Sequence, residues 1–303
     1  MPIATLAASI AKILALVGIG MALRLTGLLK REDVRVVNAL IVYVALPAMI
    51  FGAIWPARLT WELARVAGIA WGVTLAGLAG AWLAAKALRL PRETAGAFIL
   101  VAALGNTGYI GYPVVTMVLG QSALTPAVFY DVFGTVATLL TAGIVVASRY
   151  GEHEEGRANP LREFLTFPAV IALLLALALK PVPIPAVVMA WLDVPAKMTV
   201  PLVMISVGLT LEWSSAKDRT GALAAVAGLK LLLLPAVAAG IALAIGDAGS
   251  LRLVTLQAGM PSMVLTLVIG ERFRLDTRFI AAAILVTTAA CAVTIPLVQA
   301  LIH

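Results

Sequence analysis

The chain has 303 residues, of which 62% are hydrophobic and only 12% charged, where a soluble domain carries about a quarter of its residues as charge. That balance excludes a water-soluble fold and places the chain in the bilayer. The formal charge of +7 is scattered in small groups between apolar runs, so it reads as membrane-edge anchoring and not as a nucleic-acid surface.

A bilayer core of some 30 Å takes about twenty apolar residues, and windows of that length predict ten transmembrane helices, an all-α membrane protein. Their approximate limits are 4–27, 34–56, 62–88, 94–119, 123–148, 163–180, 186–211, 220–246, 249–270 and 276–302. The first window carries Lys12 in its centre and no convincing small-x-small cleavage pattern, so it is expected to stay as a span and not to leave as a signal peptide. In the seventh, a short interfacial helix from Ala186 to Leu192 is expected before the span proper begins near Pro195. The single cysteine, Cys291, lies in an apolar run and is expected to pack there; one cysteine makes no intrachain disulfide.

Fifteen Lys and Arg residues, from Arg24 and Lys30 to Arg274 and Arg278, fall in one set of loops. Only Arg58, Arg65, Lys180, Lys197 and Arg252 fall in the other. The positive-inside rule makes the first set cytoplasmic and puts both termini outside a multi-pass cytoplasmic-membrane protein. The polar segment around Gly151–Arg157 reads as a cytoplasmic linker, 149–162, between two five-span units, 1–148 and 163–303. An odd number of spans per unit inverts the second relative to the first, as in transporters built from inverted repeats. Leu46-Pro47-Ala48-Met49-Ile50 matches Val200-Pro201-Leu202-Val203-Met204-Ile205 at an offset of about 154, and nearly the same offset aligns Asn106 with Pro261.

Those last two residues mark the main feature. Leu104-Gly105-Asn106-Thr107-Gly108-Tyr109-Ile110-Gly111-Tyr112-Pro113 interrupts the fourth span, and Gln257-Ala258-Gly259-Met260-Pro261-Ser262 interrupts the ninth. Unwound backbone at membrane depth is tolerated where it lines a cavity enclosed by protein. A single Gly or Pro kink is an ordinary property of a membrane helix, but two in register point to a substrate site. Free amides and helix N-termini converging there suit an anion. The candidate lining comprises Gly105, Asn106, Thr107, Pro113, Gly259, Met260, Pro261 and Ser262, with Pro47 and Pro201 opposite.

Ionisable groups inside the bilayer cost at least about 2.5–3.5 kcal/mol and read as functional. Lys230, about 15 Å into the eighth span at 1.5 Å per residue, is expected to balance a substrate carboxylate or to tether the crossover. Asp131 in the fifth span either pairs with Lys230 or, unpaired, is a candidate proton carrier. His-based acid–base chemistry and a His/Cys metal site are excluded, since the two histidines are His153 in the linker and the terminal His303. No phosphate-binding glycine loop with its lysine is present. Asp131 stands alone at mid-span, which argues against an aspartyl protease. The chain is expected to be neither an enzyme nor a cofactor protein.

The motifs Asn106-Thr107-Gly108-Tyr109-Ile110-Gly111-Tyr112-Pro113 and Gln257-Ala258-Gly259-Met260-Pro261 are similar to the Asn-Thr-x-x-x-Gly-x-Pro and Gln-Ala-x-x-Pro of the auxin efflux carrier family. Asn159-Pro160, Val200-Pro201 and Ser206-x-Gly208-Leu209 extend the resemblance over nearly the whole chain. This family contains the plant auxin exporters and bacterial malate and malonate permeases. The resemblance implies ten helices in two inverted repeats, similar to bile acid sodium symporters and sodium-proton antiporters. It also implies a scaffold of spans 1, 2, 6 and 7 that commonly dimerises, and a transport domain of spans 3–5 and 8–10 that moves like an elevator. The chain lacks the plant carriers' long cytoplasmic loop and has Gly105 where their pattern has proline, so auxin is a poor first guess as substrate. A small organic carboxylate is expected instead. Its export is helped by about 2.3 kcal/mol per charge per 100 mV, while import needs coupling, with protons as the possible partner. The rival reading is a carboxylate-binding receptor or regulatory protein that moves nothing.

Overall fold

A computed structural model describes residues 15–30, 33–152, 165–166, 168–210 and 219–301. The expectations for Lys12, Asn159-Pro160, His153, His303 and most of the linker lie outside these residues. The described elements are helices: α1 (Ala15–Leu25), α2 (Val34–Ile54), α3 (Trp61–Ala87), α4 (Arg92–Ala103), α5 (Gly111–Leu119), α6 (Gln121–Tyr150), α7 (Pro168–Ala178), α8 (Ala186–Thr210), α9 (Thr220–Ala244), α10 (Leu251–Ala258), α11 (Leu265–Arg272) and α12 (Thr277–Leu301). Among the described residues six of them, α2, α3, α6, α8, α9 and α12, are long and apolar enough to cross a bilayer. The protein is a multi-pass, all-helical membrane protein.

Why helix throughout follows from the solvent. In hydrocarbon every backbone N–H and C=O needs an internal partner, and a helix supplies one from its own segment. Long runs of Leu, Ala, Val and Ile then leave the faces free for lipid or for neighbouring helices. Trp61, Trp82 and Trp191 remain largely exposed, consistent with amphipathic rings set toward the membrane surface.

One expectation fails in α8. Ala186–Thr210 is a single helix, with Pro195 and Pro201 both inside it, and no separate interfacial helix ends at Leu192. Each proline removes one N–H bond, but membrane helices continue through prolines when local adjustments satisfy the freed carbonyl. Arg149 and Tyr150, expected in the linker, are still in α6, which runs to Tyr150.

Two groups of helices emerge from the packing. α2 lies against α7 and α8, and α1 joins them where Gly20 and Gly208 meet. A Cβ on Gly208 would stand 2.1 Å from the Val17 carbonyl oxygen, and one on Gly20 would stand 2.2 Å from that of Ile205. Backbones this close need small residues at the contact, the usual device of helix association in lipid. Gly208→Leu is therefore expected to separate α1 from α8 and cost at least the 1–3 kcal/mol typical of overpacking, read as a lowered midpoint of thermal aggregation in detergent. The second group has α3 against α4, α6 and α9, and α12 against α9. Here Gly134 of α6 sits so near Ala70 that a Cβ would approach its methyl to 2.2 Å. Thr74 and Thr138 share a hydrogen bond of 3.0 Å across the α3–α6 contact.

Candidate functional site at the helix crossover

The broken segments meet. α4 ends at Ala103 and α10 at Ala258, and after each a short non-helical stretch of turn and bridge precedes α5 and α11. Gly105 and Ser262 face one another as an antiparallel bridge, closed by Asn106 N–H to the Pro261 carbonyl at 2.7 Å and Met263 N–H to the Leu104 carbonyl at 3.0 Å. Asn106 and Pro261, aligned in the sequence by internal offset, are thus direct partners. Pairing the two breaks satisfies backbone groups that neither helix can, which is why irregular chain survives at this depth.

Side chains complete the junction. Ser262 Oγ donates to the Val101 carbonyl at 2.7 Å, and Ser262 N–H donates to Thr287 Oγ1 at 3.0 Å, which anchors the second break to α4 and α12. Gln257 Nε2 donates to the carbonyls of Thr107 at 3.2 Å and Ala127 at 3.3 Å. The notch that admits this amide is Gly111, where a Cβ would stand 2.3 Å from Gln257 Oε1. Lys230 is 1% exposed, and its Nζ donates to the Ala258 carbonyl at 2.5 Å. Gly105 leaves the room for it, since a Cβ there would lie 3.0 Å from both Cε and Nζ. A cationic side chain is thereby set at the negative end of α10.

Asp131, 3% exposed, does not pair with Lys230. Its Oδ1 accepts from Thr107 Oγ1 at 2.5 Å and its Oδ2 from Tyr112 OH at 2.7 Å, so it stands at the positive N-terminal end of α5. Charges of opposite sign on opposite helix poles separate where the sequence reading left a pair open. Each lies in a π-helical turn, Tyr130–Val136 and Leu229–Leu233, and two further such turns are Ile41–Ala45 in α2 and Leu139–Gly143 in α6. Such turns gather at functional sites because the extra residue re-aims its neighbours.

A cavity of about 210 Å³ opens between this junction, α2 and α7. Its polar lining is Asn38, Asn106, Tyr109, Tyr112 and Asp131, and its apolar walls include Val42, Leu46, Met263, Val264 and Val268. Asn106 is buried, and its Nδ2 has no hydrogen-bond partner, a donor aimed at nothing the described residues supply. The amides of Thr107, Gly108 and Tyr109 likewise find no acceptor among the described residues. Asn38 receives a 2.6 Å hydrogen bond from Ser206 Oγ on α8 and accepts from Tyr109 OH through its carbonyl at 3.3 Å.

Of the residues expected to line the crossover, Asn106 lines this cavity, beside Asp131, which was expected as a charge or proton-carrying residue. Gly105, Thr107, Gly259, Met260, Pro261 and Ser262 build the junction behind the cavity, and Pro113 is buried within α5. Pro47 and Pro201 do not line it either; Asn38, Val42 and Leu46 of α2 occupy that wall, because the face of a helix apolar all round cannot be read from periodicity. Asn38 was the missed signal, a lone amide in an otherwise apolar span. Cys291 is free and buried, its Sγ 3.0 Å from the Thr288 carbonyl.

The sequence profile of the family described as "Membrane transport protein" matches residues 5–299. The chain belongs to this family, that of the auxin efflux carriers. Relatives within reach of this membrane transport family member are themselves named as transporters. An uncharacterized transporter of Methanocaldococcus jannaschii is 31% identical over 91% of this chain and 92% of its own. An uncharacterized transporter of Methanothermobacter thermautotrophicus is 30% identical over 95% and 96%. A Rhizobium meliloti protein named "Putative malonate transporter" is 27% identical over 83% and 81%. As a family member the chain is a membrane transporter.

Proposed function

We propose that the protein carries a small organic carboxylate across the cytoplasmic membrane, bound at the crossover and moved by elevator-like alternating access. The observation that carries this reading is the unpartnered Asn106 Nδ2 in a cavity bounded on one side by the paired breaks and on the other by α2 and α7. A buried donor without a partner costs about 1–3 kcal/mol, and an anion's oxygens supply what it lacks. The N-terminal end of α5 adds a favourable partial positive charge. The name of the Rhizobium meliloti relative supports a carboxylate.

In this reading six long helices, the short α1 and α7, and the broken pairs α4/α5 and α10/α11 make ten spans, in two inverted repeats with both termini outside. The group α1, α2, α7 and α8 is the scaffold, through which two copies dimerise, and the remainder is the moving body. A cavity on the seam between them, not inside either, is what an elevator needs, since sliding one group past the other carries the site with the moving body. Lys230, tied to the Ala258 carbonyl and absent from the cavity wall, serves to tether the crossover and not to touch the substrate.

Reconstituting the purified protein in liposomes loaded with unlabelled malonate, and adding radiolabelled malonate or malate outside, tests the reading. Counterflow of at least one carboxylate is expected. Saturable binding of these anions with no exchange under any imposed voltage or pH gradient would make the site a receptor's and overturn the proposal.

A further inference from the structure

We propose that Asp131 is a proton site coupled to the substrate, and that Thr107 is the hydroxyl switch that reports its protonation to the crossover. This rests on the carboxylate reading above. Asp131 and the unpartnered Asn106 Nδ2 line the same cavity of about 210 Å³. A carboxylate drawn to Asn106 therefore enters beside a second carboxyl group already there. Two carboxylates sharing so small a site do not both stay ionised; one takes a proton.

Among the described residues no cationic side chain pairs with Asp131. The titratable groups facing it from the first break and α5 are Tyr109 and Tyr112. α3, which packs along its helix, carries its titratable side chains Glu62, Arg65 and Lys86 toward its ends. α2 contributes Asn38, Val42 and Leu46 to the cavity, none titratable. On α9, Lys230 is engaged with the Ala258 carbonyl.

The two hydroxyls on Asp131 determine what protonation does. An ionised carboxylate only accepts, and here it accepts from Thr107 and from Tyr112. A neutral carboxyl group must also donate. Thr107 has a second acceptor within reach, the Gly105 carbonyl at 3.5 Å. That carbonyl takes no part in the two hydrogen bonds that pair the breaks. A proton arriving from water in the cavity binds Asp131 Oδ1. The new O–H donates to Thr107 Oγ1, and the Thr107 hydroxyl turns its hydrogen to Gly105. No other bond is made or broken. The Thr107 carbonyl is held by Gln257 of α10, so the change is made at the point where the two breaks are stitched together. Proton and carboxylate then travel in the same direction.

The full chain in liposomes containing a trapped pH-sensitive dye provides the test, with radiolabelled malonate and malate as probes, the membrane potential clamped to zero and the interior one pH unit above the exterior. Wild type is expected to acidify the lumen in step with uptake and, for malonate moving with one proton at a membrane potential clamped to zero, to accumulate it about tenfold, the ratio equivalent to one pH unit. Asp131→Asn, a neutral isostere, is expected to flatten the pH dependence of whatever exchange remains and to reduce gradient-driven accumulation to unity. Thr107→Val is expected to shift the pH profile of exchange, with Thr107→Ser restoring it. Carboxylate flux in wild type without lumenal acidification, or gradient-driven accumulation by Asp131→Asn equal to wild type, overturns the coupling while leaving the carboxylate reading intact. Wild-type failure to exchange any carboxylate overturns both. The acidification readout needs no variant, so a misfolded Asp131→Asn does not shield the proposal.

Discussion

Lys230→Ala is expected to leave a protein that inserts in the membrane but transports poorly and loses thermal stability by several kcal/mol. Two physical effects add. The first is a lost partner: Lys230 Nζ is the side-chain donor to the Ala258 carbonyl, at a helix end whose last carbonyls have no intrahelical acceptor role left. An unsatisfied buried carbonyl costs about 1–3 kcal/mol. The second is volume. Lys230 ranks among the largest fully buried side chains of the molecule, and truncating a buried side chain of that length to alanine costs about 2–5 kcal/mol in transfer and cavity terms. The void opens against Gly105, the residue whose missing side chain makes room for Lys230.

Lys230→Met separates the effects. It restores most of the volume and none of the hydrogen bond, so about 1–3 kcal/mol of the loss should remain. Thermal melts of the two variants in the same detergent, beside their exchange rates, check both terms. If Lys230 bound the substrate directly, Lys230→Met would abolish ligand-induced stabilisation while melting like wild type when empty. The tethering role requires the reverse, a lower melting point of the empty protein with a ligand-induced shift still present.

The parts of this architecture that announce themselves in the sequence are those where lipid forbids alternatives. Gly105-Asn106 and Gly259-Met260-Pro261 stand out because irregular chain at membrane depth has to find its partner in more irregular chain, and the internal offset of about 154 residues aligned Asn106 with the residue whose carbonyl it binds. What stayed hidden depends on facing and reach. Asp131 and Lys230 were both identified as buried charges, but whether they pair depends on which way each π-helical turn aims its side chain. A window of hydropathy contains no such information. The hydroxyls of Thr107 and Tyr112 hold Asp131, whereas Lys230 reaches a backbone carbonyl that no residue identity reveals. Pro47 and Pro201 were expected on the cavity wall opposite the broken segments. In α8, however, Pro201 sits inside an unbroken helix, and the wall is built by Asn38, Val42 and Leu46.

Asn106→Ala is expected to separate stability from function in the opposite sense to Lys230. Its backbone N–H pairs with the Pro261 carbonyl, and alanine keeps that bond, so the crossover should assemble unchanged. Its side chain, by contrast, presents an Nδ2 with no partner in a buried place. Removing such a group from the empty protein costs nothing in hydrogen bonding and relieves an unmet desolvation penalty of about 1–3 kcal/mol. The empty variant should melt at or above the wild-type temperature. With a carboxylate present the comparison inverts, because the same donor is the group the anion would use, and a hydrogen bond to a charged group is worth about 1.5–3 kcal/mol. Affinity should therefore fall by about 10- to 150-fold, at 1.4 kcal/mol per factor of ten, and exchange at fixed low substrate should fall with it. Asn106→Asp extends the test, since it replaces the donor by an acceptor near Asp131 and should bind the anion worse than alanine does. Functional sites commonly hold such strain at the expense of stability. An empty Asn106→Ala protein that melts well below wild type, or one that exchanges carboxylate at the wild-type rate, would remove Asn106 from the substrate site and place it with Ser262 and Gln257 in the framework behind it.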